Sequence, residues 1–186
     1  PGGYVAAIVA ARLGRRVVLV DRDGEAGLGG VCVTVGCIPS KALIEMAHVA
    51  HDSAVWAQRG VTGLSPLGVD LAAFQAWKSD IVGGLNTGVR QLLKAAGVEV
   101  RHGSFRFTRK DQGVIDRGGD LLPVHVKFDS CVLATGSRPA VLPGLQRDGV
   151  RILDSTDVLA MQQLPRRMVI VGGGYIGVEL GTALAK

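Results

Sequence analysis

Apolar and polar residues alternate along the chain with two different periods, which predicts an α/β fold. Four stretches show the helical spacing of apolar residues, and three short unbroken apolar runs are typical of buried strands. One further region changes to a period of two, which indicates short strands joined by turns. The predicted helices span residues 4–13, 38–58, 70–96 and 178–185, the buried strands 16–20, 130–134 and 167–171, and the alternating strands 98–100, 104–108, 113–116 and 124–128.

Capping residues support three of these helix boundaries. Gly14 follows the first helix, where glycine is favoured as a C-terminal cap, and Pro39 suits the first turn of the second helix. Asp70 can cap the third helix with its carboxylate. A loop rich in Gly, Ser and Pro, residues 60–69, separates the second and third helices. The boundaries are therefore predicted from local chemistry as well as from the apolar period.

A glycine-rich turn joins the predicted strand at 167–171 to the last helix. Residues 172–177 read Gly-Gly-Gly-Tyr-Ile-Gly and fit the pattern G-x-G-x-x-G. In this setting the first glycine makes the tight turn, the second lets the backbone approach a pyrophosphate, and the third lets the helix pack on the strand. The helix N-terminus then faces the anion. The pattern predicts a dinucleotide site, with a βα turn that binds no ligand as the alternative.

The beginning of the chain is similar to the tail of a second motif of this kind. Gly3 would be its last glycine, at the start of the first predicted helix. Asp21 closes the next strand about 18 residues further on, where an acidic side chain would hydrogen-bond an adenosine ribose. A simple turn residue at a strand end is the alternative interpretation of Asp21.

Two closely spaced cysteines point to redox chemistry. Cys32 and Cys37 are separated by four residues, and Lys41 follows one helical turn later. This spacing suits a small reducible disulfide, and a nearby cation favours the reactive thiolate. A purely structural disulfide would contribute only about 2 kcal/mol for so short a loop, and zinc would need further Cys or His ligands at suitable spacing. Cys131 falls in a predicted buried strand, where a free cysteine behaves as a small hydrophobe.

Composition argues against two classes of function. The net charge is +5, but the basic residues are dispersed and are not interleaved with aromatics, which disfavours nucleic-acid binding. No apolar run approaches the roughly 18–20 residues of a membrane span, and we expect no membrane association. Few cysteines and no targeting signal favour a cytoplasmic protein. We expect a fragment of a longer protein, because Pro1 directly precedes a helix and Lys186 lies within a helical pattern.

Several motifs together resemble the disulfide-reductase family of flavoproteins along essentially the whole chain. The most specific is the cysteine-containing stretch 29–43, and residues 134–139 are similar to the strand end at which the family contacts its flavin. Residues 154–165 and 172–181 are similar to the family's entry into an NAD domain. The Ile-Pro-Ser-Lys-Ala-Leu run and Val31 are most similar to the branch of the family that oxidises dihydrolipoamide.

The resemblance implies a fold class and two domains. A Rossmann-like FAD-binding domain, with a parallel sheet and a small antiparallel β-meander, would occupy residues 1–150 and lack its first strand. A second Rossmann-like domain, which binds NAD(P), would begin within residues 151–186.

The resemblance also implies roles for individual residues. Cys32 would be the interchange thiol that reacts with the substrate, and Cys37 the thiolate next to the flavin. Lys41 would lie near the flavin and pair with Glu179, because a carboxylate offsets the cost of burying a lysine. Ordinary solvated side chains are the alternative for both. The implied FAD-binding residues are Gly3, Asp21, Arg22, Gly29, Gly30, Val31, Cys32, Lys41, Ala134, Thr135, Gly136 and Ser137, and those on the NAD side are Gly172, Gly174, Tyr175, Ile176, Gly177 and Glu179.

The implied activity is a flavin-dependent oxidoreductase with no metal. Dihydrolipoamide, carried by a lipoyl domain of a 2-oxo acid dehydrogenase complex, would reduce the Cys32–Cys37 disulfide, and electrons would pass through FAD to NAD⁺. The family works as a homodimer and takes its catalytic base from a His–Glu pair that no residue here matches. The alternatives are a sister reductase acting on glutathione or mercuric ion, and a nucleotide-binding fragment without turnover. The residue that selects NAD over NADP would lie about 20 positions beyond the glycine motif, outside this chain.

Overall fold

The computed structural model describes residues 1–64 and 67–186, so part of the predicted 60–69 loop lies outside the described residues. The chain divides into two compact units, residues 1–34 with 83–137 and residues 35–82 with 138–186. The predicted division into domains at residue 150 stays a prediction. The elements are α1 (Gly2–Arg12), β1 (Val18–Asp21), α2 (Gly30–Thr34), α3 (Cys37–Gln58), α4 (Leu71–Ala95), β2 (Glu99–His102), β3 (Ser104–Arg109), β4 (Gln112–Asp116), β5 (Val124–Lys127), α5 (Ser155–Leu159) and α6 (Tyr175–Ala185).

The predicted caps are found at the helix ends. Gly14 follows α1 with φ of 80°, a left-handed conformation that glycine adopts without strain, and its N–H donates to the Ala11 carbonyl at 2.9 Å. Asp70 precedes α4, and its Oδ1 accepts a hydrogen bond from the Ala73 N–H at 3.0 Å. Pro39 lies in the first turn of α3. The bounds of the three long helices therefore agree with the predicted ones to within about two residues.

The first unit contains a parallel and an antiparallel sheet. β1 pairs with β2 in parallel, from Val18 opposite Glu99 to Asp21 opposite His102. β3, β4 and β5 form a separate antiparallel meander. This mixed α/β architecture confirms the predicted fold class. The core residues of the unit come from α1, from the loop before α2, from α4 and from the position before β2, and they are Ala7, Ile8, Leu28, Val89, Leu93 and Val98.

Two predicted buried strands, residues 130–134 and 167–171, are not strands in this structure. Val132 is 71% exposed and Val169 is 88% exposed. A buried parallel strand needs hydrogen-bonded neighbours, and no strand within residues 1–64 and 67–186 pairs with either segment. Cys131 is accordingly exposed, so the prediction that it is an inert core residue is wrong.

The second unit is built around a helical core. α3 contributes Ala42, Leu43 and Ala47, and Phe74 comes from α4. The same core contains residues from the two C-terminal helices, namely Leu159 of α5 and Leu180 and Ala183 of α6. Because α3 and α6 share one core, the first turn of α3 and the N-terminal half of α6 belong to the same packed unit.

One helical stretch, Gly30–Gln58, is long and apolar enough by length and composition to cross a membrane. The prediction that no such stretch exists is therefore wrong by this criterion. The sequence prediction concerned an unbroken apolar run, whereas this stretch is apolar on average and contains Lys41 and Glu45 among apolar neighbours. Core helices of soluble proteins pass the same test, and Ala42, Leu43 and Ala47 of this stretch are buried in a core.

Candidate functional site

The two cysteines of the redox motif follow a sharp backbone turn. Gly29 and Gly30 both have positive φ, 96° and 67°, immediately before Cys32 in α2. A Cβ at Gly29 would lie 2.6 Å from the Cβ of Val33, so only glycine fits there. Cys32 is half-buried, while Cys37 is the exposed first residue of α3 and carries a free thiol. The predicted disulfide between them belongs to the oxidised form and stays a prediction.

The structure brings Lys41 and Glu179 together. The Lys41 Nζ donates to both carboxylate oxygens of Glu179, at 2.8 Å to Oε1 and 2.7 Å to Oε2. The Ser40 hydroxyl donates to Oε2 at 3.3 Å. Both ionic side chains remain solvent-accessible, at 59% for Lys41 and 37% for Glu179. The pairing that the resemblance implied is present, and the catalytic roles of the two residues stay predictions.

Hydrogen bonding sets the ionisation of this pair. The bond from Lys41 lowers the pKa of the Glu179 carboxyl, and the Ser40 hydroxyl acts in the same direction. Glu179 is therefore a carboxylate at neutral pH and pairs with the side chain of Lys41, one helical turn into α3. Ser40 was missed by the sequence reasoning, although it directly precedes Lys41 in the cysteine-containing motif.

The residues predicted to contact FAD, apart from Lys41, all fall in the first unit. A Cβ at Gly3 would lie 3.3 Å from the Cβ of Ala134 and 3.9 Å from Leu19, so this glycine lets α1 approach β1 and the 134–137 segment closely. Gly136 has a positive φ of 77°. The close approach at Gly3 fits the tight helix–strand packing of a dinucleotide-binding turn, and the predicted FAD contacts stay predictions.

Asp21 ends β1 and uses one carboxylate oxygen within the chain. Its Oδ1 accepts a hydrogen bond from the Asp23 N–H at 2.9 Å, which is the turn geometry of the alternative interpretation. The next residue, Arg22, is exposed, with its Nε 3.6 Å from Asp23. The backbone carbonyl of Arg22 contacts the His102 Nε2 at 2.7 Å. The predicted ribose contact of Asp21 stays a prediction.

The second glycine motif forms a turn before α6, although the strand predicted to precede it, residues 167–171, is not formed, and its role in dinucleotide binding stays a prediction. Gly172 has φ of 112°, and a Cβ at Gly177 would lie 2.7 Å from the Gly172 carbonyl oxygen. Side chains at Gly173 and Gly174 would meet only open space, so the backbone there is accessible. Gly174 is the N-cap of α6 and offers no side-chain cap to the first N–H groups of the helix. These groups can therefore receive an anion.

The remaining NAD-side residues are exposed at the beginning of α6. Tyr175 is its first residue and Ile176 follows it, and both side chains face solvent. Within residues 1–64 and 67–186, no group of three or more His, Cys, Asp or Glu side chains is arranged to hold a metal ion.

Comparison with known proteins identifies the family. All residues, 1–186, match the pyridine nucleotide-disulphide oxidoreductases. The chain belongs to this family. Among its relatives, dihydrolipoyl dehydrogenase 2 of Haloarcula marismortui and the dihydrolipoyl dehydrogenase of Bacillus subtilis are each 43% identical over the whole chain. The chain spans 39% and 38% of the lengths of these two oxidoreductases.

Solved structures of similar oxidoreductases support the fold. LpdA of Mycobacterium tuberculosis has a TM-score of 0.86 and 26% identity, with 99% of this chain and 40% of that chain covered. The flavoprotein disulfide reductase RclA of Escherichia coli has a TM-score of 0.78 and 26% identity, with coverages of 98% and 37%. Both likenesses place this chain among folds of the same α/β type.

Proposed function

We propose that this chain is part of a dihydrolipoyl dehydrogenase that oxidises dihydrolipoamide through Cys32 and Cys37. The observation that carries the proposal is the cysteine-containing motif, followed by the Lys41–Glu179 pair, in a chain 43% identical to enzymes of that name. The family is FAD-dependent, and its dihydrolipoyl dehydrogenases use NAD(H).

The thiol chemistry needs only the two cysteines and the substrate. A thiolate of dihydrolipoamide attacks the Cys32 sulfur of the disulfide, forms a mixed disulfide and releases Cys37 as a thiolate. The second substrate thiolate then attacks the other substrate sulfur, the one bonded to Cys32 in the mixed disulfide. This attack closes the lipoamide ring and releases the Cys32 thiolate. Two electrons and no atoms pass to the protein, and the two substrate protons leave to a base or to water.

The cationic group supports this step electrostatically. Lys41 lies one helical turn after Cys37, and a nearby ammonium stabilises a thiolate and the negative charge of a reduced cofactor. Glu179 and Ser40 orient that ammonium through their contacts. When bound, FAD would supply two-electron redox chemistry beside the thiol pair, and NAD⁺ would be the final hydride acceptor.

From the glycine motifs we propose a binding place for each cofactor. FAD would be held by the turn around Gly3, the end of β1 at Asp21, and residues 134–137. NAD would be held by the Gly172–Gly177 turn and the N-terminus of α6. The open backbone at Gly173 and Gly174 supports this second assignment.

A visible spectrum of the full-length protein tests the proposal. Titration with dihydrolipoamide is expected to produce a long-wavelength thiolate-to-flavin band in the wild type and in Cys131→Ser, but not in Cys37→Ser. Cys131 is a matched control because it is an exposed cysteine outside the motif. The assignment would be refuted by a protein without bound flavin, or by a flavin spectrum that does not change when dihydrolipoamide is added.

A sister reductase is the second candidate, because the chain is also similar to the flavoprotein disulfide reductase RclA. A flavin that is not reduced by dihydrolipoamide but is reduced by NADPH would favour this candidate.

For the preferred function we further propose a cytoplasmic homodimer that acts on the lipoyl domain of a 2-oxo acid dehydrogenase complex. Light scattering that gives a monomer mass for the active protein would contradict the dimer.

A further inference from the structure

One amide side chain outside the predicted site holds the loop that leads to Cys32. Asn86 lies on α4, and its Nδ2 donates to the backbone carbonyls of Glu25 at 3.0 Å, Ala26 at 3.3 Å and Leu28 at 2.8 Å. The amide has one sensible orientation, because a flipped Asn86 would turn its own oxygen toward the three carbonyl oxygens.

Apolar packing holds the same loop against α4. Leu28 is 2% exposed and shares a core with Val89 and Leu93 of α4. Arg90, one helical turn after Asn86, places its guanidinium 2.7 Å from the Glu25 carboxylate. This ion pair is exposed and contributes little, so the amide of Asn86 provides the main polar contact.

The backbone between Leu28 and Cys32 has little freedom. Leu28 directly precedes Gly29, and Gly29 and Gly30 both adopt positive φ before α2 begins. Gly29 is packed so tightly against Val33 that a Cβ would overlap it at 2.6 Å. A shift of the Leu28 carbonyl therefore passes directly to the start of α2 and to Cys32.

We propose that Asn86 is a positioning residue for Cys32. By holding the carbonyls of residues 25, 26 and 28, it fixes the start of α2 and the place at which the Cys32 sulfur meets its substrate. The catalytic consequence rests on the proposed redox function of Cys32, whereas the anchoring of the loop stands without it.

Asn86→Asp in the full-length protein tests the inference. Aspartate has the same shape as asparagine but presents only acceptors to three carbonyls, and Gln91→Glu makes the same chemical change at an exposed position of α4. Hydrogen exchange over residues 24–34 is expected to accelerate at least about tenfold in Asn86→Asp, the scale of a lost hydrogen bond that leaves acceptors unpaired. Exchange over residues 104–127, the meander of the same unit, and exchange in Gln91→Glu are expected to stay at wild-type rates.

Steady-state kinetics with the two substrates, dihydrolipoamide and NAD⁺, provide the second measurement. The kcat/KM for dihydrolipoamide is expected to fall about tenfold in Asn86→Asp, while the KM for NAD⁺ stays unchanged. Unchanged exchange over residues 24–34, or an equal rise over residues 104–127, would overturn the inference. If Asn86→Asp does not fold, Asn86→Leu removes the donor without adding a charge and is judged by the same exchange measurement. A wild type without dihydrolipoamide activity would refute the proposed function, and the exchange result would still decide the role of Asn86.

Discussion

Gly103→Ala is expected to destabilise the first unit strongly. Gly103 joins β2 to β3 with φ of 146°, a conformation that costs a side chain about 1–3 kcal/mol. A Cβ would also lie 2.5 Å from the Asp116 carbonyl oxygen and 2.7 Å from Ile115, which is fully buried. Such overpacking costs about 1–3 kcal/mol, so the free energy of unfolding should fall by about 2–6 kcal/mol. That is a large share of the roughly 5–15 kcal/mol that stabilises a domain.

Gly84→Ala is the matched control for this prediction. Gly84 lies within α4, where an added Cβ would meet nothing within 4 Å, and alanine there should stabilise the helix by about 1 kcal/mol. Both substitutions restrict the unfolded chain equally, so their difference reports on the folded state. Denaturant unfolding followed by circular dichroism measures both variants. A Gly103→Ala protein within about 0.5 kcal/mol of Gly84→Ala would refute the reasoning.

Three further substitutions have defined outcomes. Because the Lys41 hydrogen bond lowers the pKa of Glu179 in the fold, the pair stabilises the protein above the ordinary glutamate pKa, and this stabilisation is lost as the pH falls through the lowered pKa. The melting difference between wild type and Glu179→Gln should therefore shrink as the pH falls below the ordinary glutamate pKa. Burial lowers the pKa of Lys78 in the folded protein, so the free energy of unfolding of the wild type should rise with pH between this lowered pKa and the ordinary lysine pKa. Thermal melts of Lys78→Met at alkaline pH should lack this rise. Gly177→Ala would place a Cβ 2.7 Å from the Gly172 carbonyl and should weaken NAD binding about tenfold by calorimetry.

Exposed or loosely packed positions supply the controls. Glu45→Gln and Lys94→Met make the same chemical changes at exposed positions of α3 and α4 and are the matched controls for the two melting experiments. Gly181→Ala adds a carbon that meets only the movable end of the Ile170 side chain, so NAD binding should change little. A pH-independent melting difference, a retained alkaline rise or unchanged NAD affinity would contradict the respective prediction.

Local chemistry made most of the elements predictable. Gly14 and Asp70 act through neighbours a few residues away, so the C-terminal end of α1 and the start of α4 follow from the sequence alone. The period of two between β2 and β5 likewise reflects alternation within each strand. The runs at 130–134 and 167–171 failed because an apolar stretch becomes a strand only when another strand pairs with it.

The site depended on contacts between residues that are distant in sequence. Lys41 and Glu179 are 138 residues apart, and only the family resemblance suggested that they meet. Asn86 was missed because an asparagine within a helix carries no motif of its own. Its one signal is that asparagine is a weak helix former, which raises the question of what its side chain binds.

The parallel pairing of β1 with β2 has a consequence for the order of folding. Val18 pairs with Glu99, and the chain between them contains the whole of α2, α3 and α4, so closing this contact carries the entropic cost of a long loop. The meander β3–β4–β5 joins strands that are neighbours in sequence and can form early. During synthesis β1 therefore stays without its strand partner until β2 has left the ribosome, and its apolar residues are exposed to intermolecular contacts for that time.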